Sequence, residues 1–96
     1  MTYNSVEIEA ALAEAEKTFD IILESSNGKQ YPNYVPIRAD NIFAQILQEY
    51  GKDLDLKLRS GKKYRFENAR LGISTTNAAL PLKYLWLEDG DILVIS

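Results

Sequence analysis

The sequence contains neither cysteine nor histidine. These absences remove the thiol nucleophile, the commonest general base and the usual zinc or copper ligands, so catalysis would have to rest on carboxylates, hydroxyls or lysines. Disulfides are excluded, which fits a reducing compartment. We therefore predict a protein that is not an enzyme and has no catalytic residue, cofactor or metal site.

Long hydrophobic runs are also missing. A bilayer-spanning helix needs about 20 consecutive apolar residues, and the apolar runs here are only a few residues long. The start MTYNSVEIEA has neither the basic region nor the apolar stretch of a signal peptide. We expect a cytoplasmic protein without direct membrane insertion. Its 96 residues, 46% of them hydrophobic, are enough for one core but too few for two.

The charge is modest in total but segregated along the chain. A net charge of -3 argues against a dedicated nucleic-acid binder, which would carry a basic excess. The first quarter is acidic, and the stretch from 52 to 70 is basic. The cations of that stretch are Lys52, Lys57, Arg59, Lys62, Lys63, Arg65 and Arg70.

The N-terminus predicts an amphipathic helix over about residues 5–17. Its apolar residues recur at spacings of four, three and four, at Ile8, Leu12, Ala15 and Phe19. A helix of that length is marginal in water by itself, so its stripe needs a surface to lie on. We therefore divide the chain into a helical extension, 1–17, and a domain, 18–96.

A hairpin is predicted around Asn27-Gly28, because both residues accept the positive φ of a tight turn. A two-residue turn sets the register and places Pro32 and Pro36 where their missing N–H groups point away from the partner strand. The second strand should then be a sheet edge. The same register predicts one core face, formed by Phe19, Ile21, Leu23 and Tyr34.

A helix follows over NIFAQILQEY, with Asp40 expected as its N-cap and Gly51 as its left-handed C-cap. LDLKLRS and KKYRFE then alternate around Ser60-Gly61, which predicts a second hairpin with one basic face. Its apolar face would carry Leu56, Leu58, Tyr64 and Phe66. The segment 72–85 predicts a long connection with a helical turn near 77–80, and DILVIS predicts a final strand.

This order of elements is that of an α+β fold, the β-grasp or ubiquitin-like fold, with about five strands packed on one central helix. In that fold the last strand runs parallel to the first in the middle of the sheet. Its continuous apolar run, Ile92 to Ile95, predicts cover on both faces. Either the acidic N-terminal helix covers the face opposite the central helix, or that face receives a partner.

From Val35 onward the sequence resembles the ubiquitin-like proteins of the YukD and EsaB kind, which accompany type VII (ESX-like) secretion systems in bacteria. The similarity lies in VPI at 35–37, in KLRSGKKYRFENARL, and in the ending LEDGDILVIS. It covers about two thirds of the chain. The N-terminal helix and the length of 72–85 depart from the family pattern.

The resemblance implies a non-catalytic accessory of protein export that acts by protein–protein contact. Conjugated relatives end in a flexible Gly-Gly tail, whereas Val94-Ile95-Ser96 still belongs to the predicted strand, so we expect no activation or conjugation. The alternative is a small ubiquitin-like subunit or regulator of a multicomponent enzyme complex. Protein partners, including cytoplasmic or membrane components of a secretion machine, are expected in the first case.

Two groups of residues are candidates for partner binding. The cations Lys57, Arg59, Lys63 and Arg65 would contact an acidic segment, or else form a solvated face. Tyr84 and Trp86 would be exposed contacts or loop anchors. A calcium site at Glu88, Asp89 and Asp91 is conceivable from the clustered carboxylates, but the spacing of a calcium loop is absent and Asp-Gly is ordinary turn chemistry.

Overall fold

A five-stranded mixed sheet and one α-helix organise the chain in its computed structural model, which describes residues 18–56, 58–59 and 61–96. The sheet order is β2-β1-β5-β3-β4, with β1 parallel to β5 and the other neighbours antiparallel. In chain order the elements are β1 (Thr18–Ser25), β2 (Val35–Arg38), α1 (Phe43–Tyr50), β3 (Phe66–Asn68), β4 (Ile73–Thr75), a 3-10 helix (Leu82–Leu85) and β5 (Ile92–Ile95). This β-grasp topology confirms the predicted central position of the final strand and the edge position of β2. The predicted helix over 5–17 lies outside the described residues.

The core lies between one face of the sheet and one side of α1. Alternate strand positions point inward, and the helix contributes Phe43, Ile46 and Leu47 at spacings of three and four. The rings of Phe43 and Phe66 are stacked, with centroids 4.6 Å apart, and both side chains are fully buried. The inward-facing strand residues are Ile21, Leu23, Val35, Ile37, Phe66, Leu93 and Ile95.

The register of the first hairpin differs by one residue from the prediction. Ser25 N–H donates to the Lys29 carbonyl (2.8 Å), so the loop has three residues and not two. Further along, Ile21 lies opposite Val35 and Asp20 opposite Pro36. Because strand side chains alternate, this slip turns the second strand over. Tyr34, predicted to be in the core, is 61% exposed, and Val35 and Ile37 are buried instead.

The predicted N-cap of α1, Asp40, is wrong, and the predicted C-cap, Gly51, has the right position but not the left-handed conformation. The helix begins after Ile42, and a later part of the chain supplies its N-terminal acceptors: Phe43 N–H donates to the Leu80 carbonyl (3.3 Å) and Ala44 N–H to that of Ala78 (2.8 Å). Gly51 has a right-handed φ of -58°. A Cβ there would lie 2.6 Å from the Leu47 carbonyl oxygen, so the close approach of the backbone, and not a left-handed turn, requires glycine.

The second predicted hairpin is absent from the described residues. After α1 the chain continues in turns, with Leu56 N–H donating to the Gly51 carbonyl (3.0 Å) and Leu54 fully buried. These turns use the residues that the first strand of the hairpin would need. Leu58 is 47% exposed, whereas Tyr64 and Phe66 are buried as predicted. Besides β5, β3 pairs with β4, which lies within the predicted long connection.

The rest of the 72–85 connection contains the helical turn that was predicted near 77–80. Leu80 N–H donates to the Asn77 carbonyl (3.1 Å), which gives the expected turn, and the 3-10 helix follows. On the sheet face opposite α1, Ile22, Ile92 and Val94 are half-buried. Whether the N-terminal segment covers that face stays a prediction.

Candidate protein-binding surfaces

A polar cluster joins the end of β3 to the loop before β5. Asn68 is fully buried, and its Nδ2 donates to the Leu85 carbonyl (2.8 Å) while its Oδ1 accepts from Arg70 N–H (3.0 Å) and Leu71 N–H (3.3 Å). Arg70 donates from Nε and one terminal nitrogen to the two oxygens of Asp91 (2.8 and 3.1 Å). Such two-pronged pairing fixes direction as well as distance. The cluster therefore holds the segment from 82 to 91 against the sheet.

Charge and hydrogen bonding keep this cluster ionised. The hydrogen bond from Arg70 holds the pKa of Asp91 below its usual range, and the Glu88 backbone N–H also donates to that carboxylate (2.8 Å). The same hydrogen bond raises the pKa of Arg70. Glu88 adds a longer ion pair to Arg70, at 3.6 Å. The pair thus stays charged throughout the neutral range.

The carboxylates considered and set aside as calcium ligands are engaged by the protein itself. Asp89 accepts from Asp20 N–H (2.9 Å), and Asp91 is occupied by Arg70. Within the described part of the chain, no group of three acidic side chains is arranged to hold a metal ion. The acidic motif therefore serves as a turn that ties β5 to β1.

An apolar groove opens beside this cluster, where β1 begins and β2 ends. Its volume is about 510 Å³, within the usual range of ligand sites. Arg70, Lys83 and Glu88 provide the charged part of its lining. The apolar groove is defined here by Phe19, Ile37, Leu71, Leu82, Trp86 and Leu87.

Two side chains of the groove reach far into solvent. Trp86 is 71% exposed and Leu71 is 44% exposed. Trp86 also has a left-handed φ of 54°, which is uncommon for a residue other than glycine, and its carbonyl accepts from Arg70 (3.3 Å). Tyr84 is 55% exposed and lies under Lys83, whose Nζ is 5.6 Å from the ring centroid. The predicted aromatic contacts are therefore accessible, and Trp86 forms one wall of the groove.

A second surface gathers cations around Tyr64, and we define the basic surface as Arg59, Lys62 and Lys63. Arg59 N–H donates to the Tyr64 hydroxyl (3.2 Å), and Lys62 Nζ lies 4.7 Å from the ring centroid. The three side chains are exposed. Among the described residues, no carboxylate forms an ion pair with any of them.

The structure places the two groups of candidate residues far apart. Arg65 N–H bonds the Ser96 carbonyl (2.9 Å) beyond the end of β5, whereas the groove adjoins Gly90, before its start. The cations and the aromatic pair thus lie at opposite ends of β5. The Arg65 side chain is paired with Glu67 (2.6 Å), and Lys57 lies outside the described residues.

Sequence reasoning missed Lys62 as a member of the basic surface, and it missed the groove. The run Gly61-Lys62-Lys63 carried the signal for Lys62. The groove had no local signal, since its walls come from the starts and ends of separate elements.

Comparison with known proteins gives the fold. No family model and no curated protein sequence matches the chain. A solved structure described as molecular mimicry of SUMO that promotes DNA repair is 17% identical, with a TM-score of 0.61, and the match covers 84% of this chain and 92% of that one. The C-terminal ubiquitin-like domain of mouse tubulin-specific chaperone e is 15% identical, with a TM-score of 0.59 and coverages of 82% and 84%.

The ubiquitin-like domain of yeast Ddi1 is 19% identical, with a TM-score of 0.57 and coverages of 81% and 86%. In the part of the chain that the structure describes, no helix has the length and apolar character to cross a membrane. Sheet order, central helix and structural neighbours agree, and the chain has the ubiquitin-like fold.

Proposed function

We propose that the chain is a non-catalytic ubiquitin-like accessory protein of a type VII (ESX-like) secretion system, which binds an acidic segment of a secretion component through its basic surface. The observation that carries this proposal is the set of three exposed cations, Arg59, Lys62 and Lys63, without a carboxylate partner in the described chain. The net charge of the chain is -3, so this local excess of positive charge is opposite in sign to the total. A surface of this kind sets encounter rate and orientation with an acidic partner.

The sequence resemblance to the YukD and EsaB kind supports the choice of system. Two of the motifs that carry it, NARL at 68–71 and DGD at 89–91, contact each other through the Arg70–Asp91 pair. They shape the loop before β5, and KLRSGKK places the basic surface at the other end of that strand. These parts of KLRSGKKYRFENARL and LEDGDILVIS thus lie around one strand of the ubiquitin-like fold, which supports treating them as one pattern.

The basic surface differs from the cationic sheet face that the sequence suggested. Arg65 forms an ion pair with Glu67 and also donates to the Ser74 hydroxyl (3.2 Å). Its side chain is therefore engaged with residues of β3 and β4. Arg59 and Lys63 keep their predicted roles, and Lys62 joins them. Lys57, Tyr84 and Trp86 remain proposed contacts, the last two at the groove end.

Reversing two charges of the basic surface should abolish partner capture. In affinity purification from cells that express the protein naturally, the Arg59→Glu/Lys63→Glu variant should recover its secretion partner about tenfold less well than wild type. The control Lys29→Glu/Lys52→Glu makes the same charge change at two exposed cations outside the basic surface and the groove, and it should bind normally. Wild-type capture should also weaken as salt is raised, because exposed charges are screened.

Three outcomes would contradict the proposed function or favour its alternative. Equal recovery with both double variants would remove the basic surface from the interaction. Capture of enzyme subunits in place of a secretion ATPase would favour the alternative, a regulator of an enzyme complex. An isopeptide-linked adduct of the chain would contradict action by non-covalent contact.

A further inference from the structure

The apolar groove lies at the point where the undescribed N-terminal segment joins the domain. Phe19 lines the groove and is only the second residue of β1. Seventeen residues precede Thr18, and as a helix residues 5–17 would extend about 20 Å. Only Thr18 separates the end of that segment from the groove residue Phe19.

The sequence pattern of the segment continues into the groove wall. Ile8, Leu12 and Ala15 belong to the same predicted stripe as Phe19. Phe19 belongs to β1, packs partly against the core and lines the groove, so the chain enters the domain at the groove wall. The groove in turn leaves apolar surface uncovered at Trp86 and Leu71. Packing the predicted stripe against the groove would remove apolar area of both from water.

Charge favours the groove over the outer face of the sheet. The segment before Thr18 carries four glutamates and one lysine. In the groove, Arg70 is paired with Asp91 and Glu88, and Lys83 adds a further positive charge, so the groove presents no excess of negative charge. On the outer face Glu67 is paired with Arg65, but Glu24, beside Val94, has no ion pair among the described residues and would repel an acidic helix. The basic surface lies at the far end of β5.

We infer that residues 1–17 dock as an amphipathic helix in the apolar groove, with Leu12 and Ala15 against Trp86 and Leu71. This placement replaces the cover of the outer face that the sequence suggested, and it makes Trp86 a contact of the segment in place of a contact for a partner. The contact is intramolecular, and it holds whether or not the chain serves a secretion system. It also leaves the half-buried face of Ile22, Ile92 and Val94 without the segment's cover.

Trp86 is the only tryptophan, so its fluorescence reports on the groove in the full-length chain. Leu12→Asp should shift its emission to the red and raise its quenching by acrylamide, because the charged side chain breaks the stripe. Ala10→Asp introduces the same residue on the opposite side of the predicted helix and should leave both values at those of wild type. Wild-type emission as red and as quenchable as that of Leu12→Asp would overturn the docking.

Cross-linking locates the segment independently. The chain has no cysteine, so a pair introduced by substitution reacts alone. With a short bismaleimide, Leu12→Cys/Leu71→Cys should link within one molecule, and Leu12→Cys/Glu24→Cys should not. Preferential linking to position 24 would place the helix on the outer face and contradict the inference. Links formed only between two molecules would contradict it also, since the occupant would then be a second copy.

Discussion

Phe66→Ala is expected to destabilise the protein by about 3–5 kcal/mol, the usual cost of removing a buried aromatic side chain. Phe66 is fully buried in β3 and stacks on Phe43, so its removal leaves a cavity between the sheet and α1. Neighbouring strands hydrogen-bonded on both sides of β3 restrict how far that cavity can collapse. Urea unfolding followed by far-UV circular dichroism would measure the loss as a lower midpoint.

Leu58→Ala provides the control for Phe66→Ala. The sequence pattern placed both residues on the same apolar face of a hairpin, but Leu58 is 47% exposed and lies outside any strand. Its truncation should change the free energy of unfolding by less than about 0.5 kcal/mol, as for most surface positions. Comparable losses at the two positions would indicate that residues 56–59 form the predicted strand after all.

Asn68→Ala should cost about 2–4 kcal/mol, although it removes only a small polar side chain. Asn68 is fully buried, and the truncation leaves the Leu85 carbonyl and the Arg70 and Leu71 N–H groups without their acceptor or donor. Polar groups that lose their partners on burial carry the full cost of desolvation. The free energy of unfolding in urea again gives the magnitude.

Asn33→Ala is the matched control for this second prediction, because Asn33 is exposed in the loop before β2. It should leave stability within about 0.5 kcal/mol of wild type. If Asn68→Ala proved equally neutral, the cluster of Asn68, Arg70 and Asp91 would not be what holds the loop before β5 to the sheet.

The elements found correctly from the sequence are those whose pattern is long or distinctive. The helical spacing of Phe43, Ile46 and Leu47 and the β-branched run of β5 each survive in the structure. The order of these elements was enough to predict the fold and the central place of β5. Local pattern suffices there because each segment buries one face against the same core.

The errors have physical causes that lie outside local pattern. The register of the first hairpin depends on a three-residue loop and on two additional residues between Gln30 and Val35. The Asn27-Gly28 signal predicts a turn but not these lengths. Leu56 and Leu58 alternate with charges as a strand would, yet the turns that bury Leu54 take up that length of chain. The three residues of β4 are too few and too polar to show a period.

The candidate surfaces were predictable to different degrees. A basic surface follows from composition, because the exposed cations Arg59, Lys62 and Lys63 are close in sequence. The groove was not predictable, since Phe19 and Trp86 come together only through the pairing of β1 with β5. The connection between Arg70 and Asp91 spans 21 residues and likewise requires the fold.

We propose that the chain acts through the basic surface at one end of a sheet whose middle strand is β5, with the apolar groove at the other end. Native-state amide exchange tests it most directly, because β5 is hydrogen-bonded on both sides by β1 and β3 while β4 is an edge strand. The amides of Ile92–Ile95 should exchange only through global unfolding, and those of β4 should exchange through smaller local openings. Exchange of the β5 amides as fast as those of β4 would contradict the sheet order and, with it, the positions of both surfaces.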